Sequence, residues 1–110
     1  MSNYKYFNTG MSGKNTVQAF MDYDKREKAY CAKFLVGDNK GGLFGWHIDG
    51  DYFTYYSKVG TAILVPSGRR NAKKEAEAAA MFEANAEEYA REFAERVAAI
   101  GGPKMNITAA

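Results

Sequence analysis

The sequence predicts an α+β fold, with an antiparallel sheet of about five to six strands over residues 4–66 and one long or broken helix over about 71–100. Three observations support this. Before Pro66, several segments alternate apolar and polar residues, as half-buried strands do. Gly, Asn and Asp separate these segments, and those residues favour turns. After Pro66 the chain is rich in alanine and glutamate, and its apolar residues recur every three or four positions, as in a helix.

The strands are predicted from period-two patterns and from the turns between them. Asp24, Lys25 and Arg26 form a short polar turn between two alternating segments, which indicates a hairpin. Asp49-Gly50 indicates a second hairpin, because a tight primed turn needs positive φ at both central residues. The predicted strands cover residues 4–8, 16–23, 28–36, 43–48, 51–57 and 61–65.

The helix is predicted from one apolar stripe, with Asn71 as N-cap and Gly101-Gly102-Pro103 as the stop. An unbroken helix of this length measures about 43 Å at about 1.5 Å per residue, which is long for a domain with a radius of gyration near 13 Å. We therefore expect it to break near Asn85 or to extend past its sheet. The stripe comprises Ala72, Ala76, Ala79, Phe82, Ala86, Tyr89, Phe93, Val97 and Ile100.

Length and composition predict one folded domain. The 110 residues are 46% hydrophobic and 25% charged, which is typical of globular chains. We expect a domain over residues 1–102 and a flexible tail over 103–110. No apolar run approaches the roughly 20 residues that span a bilayer, and the first residues lack the order of a signal peptide. We therefore expect a cytoplasmic protein with no membrane partner.

Aromatic residues are concentrated in the predicted sheet, with 13 of the 16 in residues 1–56. One helix covers only one face of a sheet, so aromatic side chains on the other face are left for a partner. The alternative is that aromatics favour strands and simply pack across them. The residues predicted to bind a partner are Trp46, Tyr52, Tyr55 and Tyr56.

The charge is weakly basic overall, at +2, and it is uneven. Residues 1–70 hold ten basic and six acidic groups, whereas residues 71–110 hold five and seven. A basic cluster precedes and enters the helix, where cations oppose the helix dipole. It is interpreted as a contact site for phosphates or an acidic partner, with a solvated loop as the alternative. Its members are Arg69, Arg70, Lys73 and Lys74.

Groups that carry chemistry are sparse, and we expect no catalytic residue, metal or cofactor. His47, Asp49 and Asp51 are spaced two apart, but the turn at Asp49-Gly50 breaks their alignment as metal ligands. Cys31 alternates with aromatic residues and is interpreted as a small buried residue. The aspartates outside the helix lie at turns, where their side chains serve the backbone.

The function predicted from these patterns is non-enzymatic binding of another protein. In size and style the chain is similar to small phage-encoded inhibitors that occlude a host defence or host enzyme complex. A first alternative is a single-stranded nucleic-acid-binding module, which stacks bases on the sheet aromatics and pairs phosphates with the basic cluster. A second alternative is a homo-oligomeric structural protein that dimerises through the helix stripe at Phe82, Tyr89 and Phe93.

Overall fold

The strands precede the helix, as predicted, and one short strand follows it. The computed structural model describes residues 4–37, 43–44, 46–48, 51–53 and 58–110, with side chains in 4–37 and 59–110. The elements are β1 (Lys5–Asn8), β2 (Thr16–Asp24), β3 (Ala29–Gly37), β4 (Leu43–Phe44), β5 (Trp46–Ile48), β6 (Asp51–Phe53), a 3-10 turn (Lys58–Gly60), β7 (Thr61–Pro66), α1 (Ala72–Ala99) and β8 (Thr108–Ala109).

Six of the strands form one antiparallel sheet, which confirms the predicted α+β fold. The order is β4-β3-β2-β1-β8, and β7 also pairs with β3. β2 and β3 share the longest register, from Thr16 opposite Gly37 to Asp24 opposite Ala29. This long hairpin follows from the two alternating segments and the polar turn between them.

β7 contains a bulge that the sequence pattern did not reveal. Tyr30 pairs with Val65 and Cys31 pairs with Ile63, so Leu64 is an extra residue on β7. The bulge lets Leu64 and Val65 both be buried while Ile63 stays exposed. The strict alternation is therefore interrupted at Leu64.

The core lies between the sheet and α1. The same face of β2 and β3 carries the predicted apolar alternation, and α1 covers it with Phe82, Phe93 and Val97. Phe93 stacks on Phe34 with ring centroids 5.3 Å apart and an interplanar angle of 14°. Because Phe82 and Phe93 are buried against the chain's own sheet, this part of the stripe does not present a surface to a second copy.

The N-cap, the kink and the C-terminal stop of the helix lie at the residues predicted from the sequence. The Asn71 side chain accepts a hydrogen bond from the Lys74 backbone N–H at 3.0 Å, as an N-cap does. Asn85 departs from helical geometry at φ −129° and ψ 17°. At the other end Gly101 adopts φ +91°, and a Cβ on Gly102 would approach Val97 Cγ1 to 2.5 Å. The C-terminal end of α1 therefore requires glycine at both positions.

The first turns of α1 differ from the predicted stripe. Ala72 and Ala76 are exposed, and the first buried helical residue is Ala78. The first turn and a half of the helix is therefore exposed. It is nevertheless anchored, because the Tyr30 hydroxyl accepts a hydrogen bond from the Asn71 backbone N–H at 2.8 Å.

The prediction of a flexible tail over 103–110 is wrong. Met105 and Ile107 are buried in the core, and Thr108–Ala109 pairs antiparallel with β1. The Asn106 backbone N–H also donates to the Thr9 carbonyl at 2.8 Å. Two apolar side chains and a two-residue strand are too short a pattern to detect in the sequence, and their partners lie about 100 residues away.

The predicted strand over 43–48 is divided, and the one over 51–57 is described only to residue 53. β4 pairs with the end of β3. β5 and β6 pair with each other in a separate antiparallel ladder, with Ile48 opposite Asp51. That register agrees with the hairpin predicted from Asp49-Gly50, although the two turn residues themselves lie outside the described part of the chain.

Candidate functional site

The face of the sheet opposite α1, called here the outer face, is set by strand alternation. Residues of β2 and β3 that do not point to the helix point to this face. In the long hairpin Gln18 is opposite Leu35, Phe20 is opposite Lys33, and Asp22 is opposite Cys31. From the neighbouring strands, Tyr6 is opposite Gln18 and Ile63 is opposite Cys31.

Aromatic side chains are exposed on this outer face. Tyr4 is 47% exposed and Tyr6 is 54% exposed. The Tyr4 ring lies 5.5 Å from the partly buried Phe20 ring, centroid to centroid, at a 38° tilt. We call Tyr4, Tyr6 and Phe20 the outer aromatic patch. Tyr6 and Phe20 lie on the paired strands β1 and β2, and Tyr4 directly precedes β1.

The centre of the outer face is buried and ionic. Lys33 is only 8% exposed, and its Nζ lies 3.1 Å from Asp24 Oδ2 and 3.8 Å from Asp22 Oδ2. Asp24 also accepts hydrogen bonds through Oδ1 from the backbone N–H groups of Arg26 and Glu27, at 2.8 and 3.0 Å. The hydrogen bond from the Glu27 backbone, followed by the contact with Lys33, holds the pKa of Asp24 below its usual value despite burial.

Cys31 lies beside this ionic group, opposite Asp22 on the outer face. Its side chain is fully buried. Burial, and secondly the charge of Asp24, raise the pKa of the Cys31 thiol to about 11. The thiolate is the reactive form, so at neutral pH the native thiol is both inaccessible and protonated.

We expect Cys31 to react slowly with a thiol reagent in the native state and quickly in denaturant. The reason is burial together with the raised pKa of about 11. Absorbance with a disulfide reagent at pH 8, with and without guanidinium chloride, measures both rates. Equal rates in the two conditions would contradict the burial of Cys31.

The four residues predicted to bind a partner fall in or beside the second ladder. Trp46 lies in β5 opposite Phe53, and Tyr52 lies in β6 opposite His47, so Trp46 and Tyr52 are not paired across the ladder. Their side chains lie outside the described part of the structure, as do Tyr55 and Tyr56 entirely. The metal candidates His47, Asp49 and Asp51 fall in the same region. Their roles stay predictions.

The outer aromatic patch was not selected from the sequence, although a signal was present. Phe20 is out of phase with the apolar series at Val17, Ala19 and Tyr23, and it stands between polar Gln18 and Asp22. A large aromatic residue on the polar side of an alternating strand indicates an exposed ring. The same reasoning separates Tyr6 from Phe7, which is buried on the helix side.

The predicted basic cluster is brought together at one end of the sheet. Arg69, Arg70, Lys73 and Lys74 are all exposed. The Arg70 guanidinium carbon lies 5.3 Å from the centroid of the Tyr23 ring, a distance at which a cation–π contact forms. The basic cluster therefore contacts an aromatic residue on the helix side of the sheet and not the outer aromatic patch.

Comparison with known proteins identifies no relative. No protein-family model matches the chain, and neither a curated protein nor a solved structure is significantly similar to it. In the described part of the chain no helix is long and apolar enough to cross a membrane. Among the same residues, no three His, Cys, Asp or Glu side chains are grouped so that they would hold a metal ion.

Proposed function

We propose that this chain is a non-enzymatic binding protein that docks another protein on its outer aromatic patch. The observation that carries the proposal is the exposure of Tyr6, 54%, on the outer face of β1, beside Tyr4, which directly precedes the strand and is 47% exposed. Tyrosine rings of this kind supply large contact area at low entropic cost and are frequent anchors of protein interfaces.

The charges around the patch favour a protein over a nucleic acid at this place. The nearest cations on β1 and β3 are already paired, Lys5 with Glu83 and Lys33 with Asp24. The exposed charge on the same face of β2 is Asp22, an anion. β1 and β2, both described along their whole length, place no exposed cation on this face to pair with a phosphate, and Asp22 itself lies 3.8 Å from Lys33. An apolar pocket of a protein would take the rings directly.

The mode of action that we propose is occlusion. A small chain with rings on a rigid sheet acts by covering a functional surface of its partner, as small phage-encoded inhibitors of host enzymes do. This reading needs no reacting group in the chain. It agrees with the buried, protonated state of Cys31.

Tyr6→Thr should weaken partner binding by about 30-fold, because an anchoring aromatic contributes about 2 kcal/mol or more. Threonine keeps a good strand former at this position. The partner is first captured from a lysate of the source cell and purified, and its Kd is then measured by calorimetry for both proteins. Tyr4→Ala should act in the same direction.

Glu88→Ala, an exposed change on α1, is the matched control and should leave the Kd unchanged. Thermal unfolding of every variant is measured in parallel. An unchanged Kd in Tyr6→Thr would overturn the docking site. A large loss of Tm in Tyr6→Thr would instead show that the ring belongs to the core, which is equally against the proposal.

A further inference from the structure

A second surface, separate from the outer aromatic patch, is strongly basic. We call it the basic end and define it by the exposed cations of three chain segments: the β2–β3 turn, the loop after β7 and the first turn of α1. It contains seven of the chain's 15 lysines and arginines. They are Lys25, Arg26, Lys28, Arg69, Arg70, Lys73 and Lys74, and all are exposed. We propose that the basic end binds the phosphate backbone of a nucleic acid.

The fold joins the three segments directly. The Ser67 backbone N–H donates to the Lys28 carbonyl at 2.9 Å, so the loop after β7 lies against the β2–β3 turn. Asp24 closes that turn with its two backbone hydrogen bonds. The same loop leads into α1 at Asn71, which places Lys73 and Lys74 next to it.

Two tyrosines hold the loop in position. The Tyr23 hydroxyl donates to the Ser67 carbonyl at 2.8 Å. The Tyr30 hydroxyl accepts from the Asn71 backbone N–H at 2.8 Å and donates to the Asn71 carbonyl at 3.2 Å. The two rings contact each other edge to face at 5.1 Å. The backbone that carries Arg69 and Arg70 is therefore fixed at both ends, which lowers the entropy that binding would cost.

Electrostatics at this end favour an anionic ligand. The helix N-terminus carries a positive partial charge, so Lys73 and Lys74 add like charge to it. Glu27 and Glu75 are the acidic residues among these segments that are exposed, and they do not balance seven cations. A bound anion would relieve the repulsion and would also face the backbone N–H groups of the first helical turn.

A polymer of phosphates fits better than an acidic protein. Seven cations from three segments are more than a single phosphate group needs, so they suit several phosphates in a row. The planar guanidinium group of arginine also pairs well with two phosphate oxygens at once. The exposed large apolar side chains of the described residues are Tyr4, Tyr6 and Ile63, and none of them belongs to the basic end. A protein interface would need such an anchor at its centre, and bases would need a ring to stack on. Contact with the backbone alone needs neither, so we expect binding without sequence preference.

The test compares two variants that each remove two positive charges. Lys73→Gln/Lys74→Gln alters the basic end, whereas Arg91→Gln/Lys104→Gln alters exposed cations elsewhere. Lys73, Lys74 and Arg91 lie in α1, where lysine, arginine and glutamine have similar propensities, and Lys104 is exposed beyond the helix, so the fold should be retained. Fluorescence anisotropy with a labelled 20-base-pair DNA of arbitrary sequence, and with one of its single strands, measures Kd between 50 and 200 mM salt.

We expect wild-type binding at 50 mM salt that weakens steeply with added salt, with a slope of about −0.9 for each phosphate contacted. Lys73→Gln/Lys74→Gln should bind about 10-fold more weakly or worse and with a shallower slope, whereas Arg91→Gln/Lys104→Gln should stay within about 2-fold. Binding to either the duplex or the single strand supports the proposal, and the tighter one identifies the form bound.

Three results would overturn the proposal. One is no binding to either DNA at 50 mM salt. Another is an equal loss in both double variants, which would reflect net charge alone. The third is competition by poly-glutamate as effective as by DNA at equal charge, which would assign the surface to an acidic protein. Tyr6→Thr should leave DNA binding unchanged, so failure here is distinct from failure of the outer aromatic patch.

Discussion

Replacing Phe93 by alanine is expected to destabilise the fold by about 3–5 kcal/mol, the usual cost of removing a buried aromatic ring. Phe93 is 2% exposed and stacks on Phe34 at 5.3 Å, so its ring joins α1 to the centre of the sheet. The change leaves a cavity between the two layers. Chemical denaturation followed by circular dichroism measures the free energy of unfolding.

Glu95→Ala is the control for Phe93→Ala, because Glu95 is exposed on the same helix two residues away. An exposed substitution of this kind changes stability by about 0.5 kcal/mol or less. If Phe93→Ala were as mild as Glu95→Ala, the helix would not be packed on the sheet through this ring. The sheet would then lack the covered face on which the assignment of an outer face depends.

Asp24→Ala is expected to destabilise the fold by about 3 kcal/mol, because it leaves a buried lysine without its nearest counter-ion. Asp24 is 5% exposed and Lys33 is 8% exposed. Alanine also removes the acceptor for the two backbone N–H groups of the β2–β3 turn. Asp22, at 3.8 Å and half-exposed, keeps a weaker ion pair with Lys33. Urea denaturation at pH 7 measures the loss.

Asp24→Asn separates the two roles, since it keeps an acceptor for the turn and removes the charge. It should cost less than Asp24→Ala, and the double change Asp24→Asn/Lys33→Met should recover part of the loss. The lowered pKa of Asp24 stabilises the fold above the ordinary value near 3.8, and this contribution is lost as pH falls through the lower folded-state pKa. The acid-induced loss should therefore be smaller in Asp24→Asn. Strict additivity of the two single changes would contradict the ion pair.

Local patterns predicted much of the fold. The alternation of β2 and β3, the cap at Asn71, the break at Asn85 and the glycine stop depend on neighbouring residues, whose preferences can be read directly. The edge strand β8 and the buried residues before it could not be predicted from local preferences. Met105 and Ile107 give only two apolar positions, and their burial depends on β1 at the other end of the chain.

The candidate surfaces were predicted less completely, because burial and proximity are long-range properties. Lys33 looks like an exposed residue of a strand until Asp22 and Asp24 of the neighbouring strand are brought within 4 Å of its Nζ. Arg69, Arg70, Lys73 and Lys74 were found as a local run. Lys25, Arg26 and Lys28 joined them only through the hydrogen bond between Ser67 and Lys28.

The exposure of individual aromatic residues was also not predictable from the sequence. Their concentration in the first half of the chain predicted that some rings would be exposed on the face opposite the helix, and Tyr4 and Tyr6 are, although Cys31, Lys33 and Leu35 of β3 are buried on that same face. Composition does not say which of 13 rings these are. Which rings are exposed depends on which alternate residues of each strand face the helix. For β1 this is set by its pairing with β2.

Hydroxyl-radical footprinting of the protein, alone and bound to its captured partner, tests the role of the outer aromatic patch most directly. Tyr23 and Tyr30, which are buried, serve as internal references, and mass spectrometry reads oxidation at each tyrosine. We predict fast oxidation of Tyr4 and Tyr6 in the free protein and strong protection in the complex. Rates as slow as that of Tyr30 in the free protein, or rates unchanged by the partner, would contradict the account.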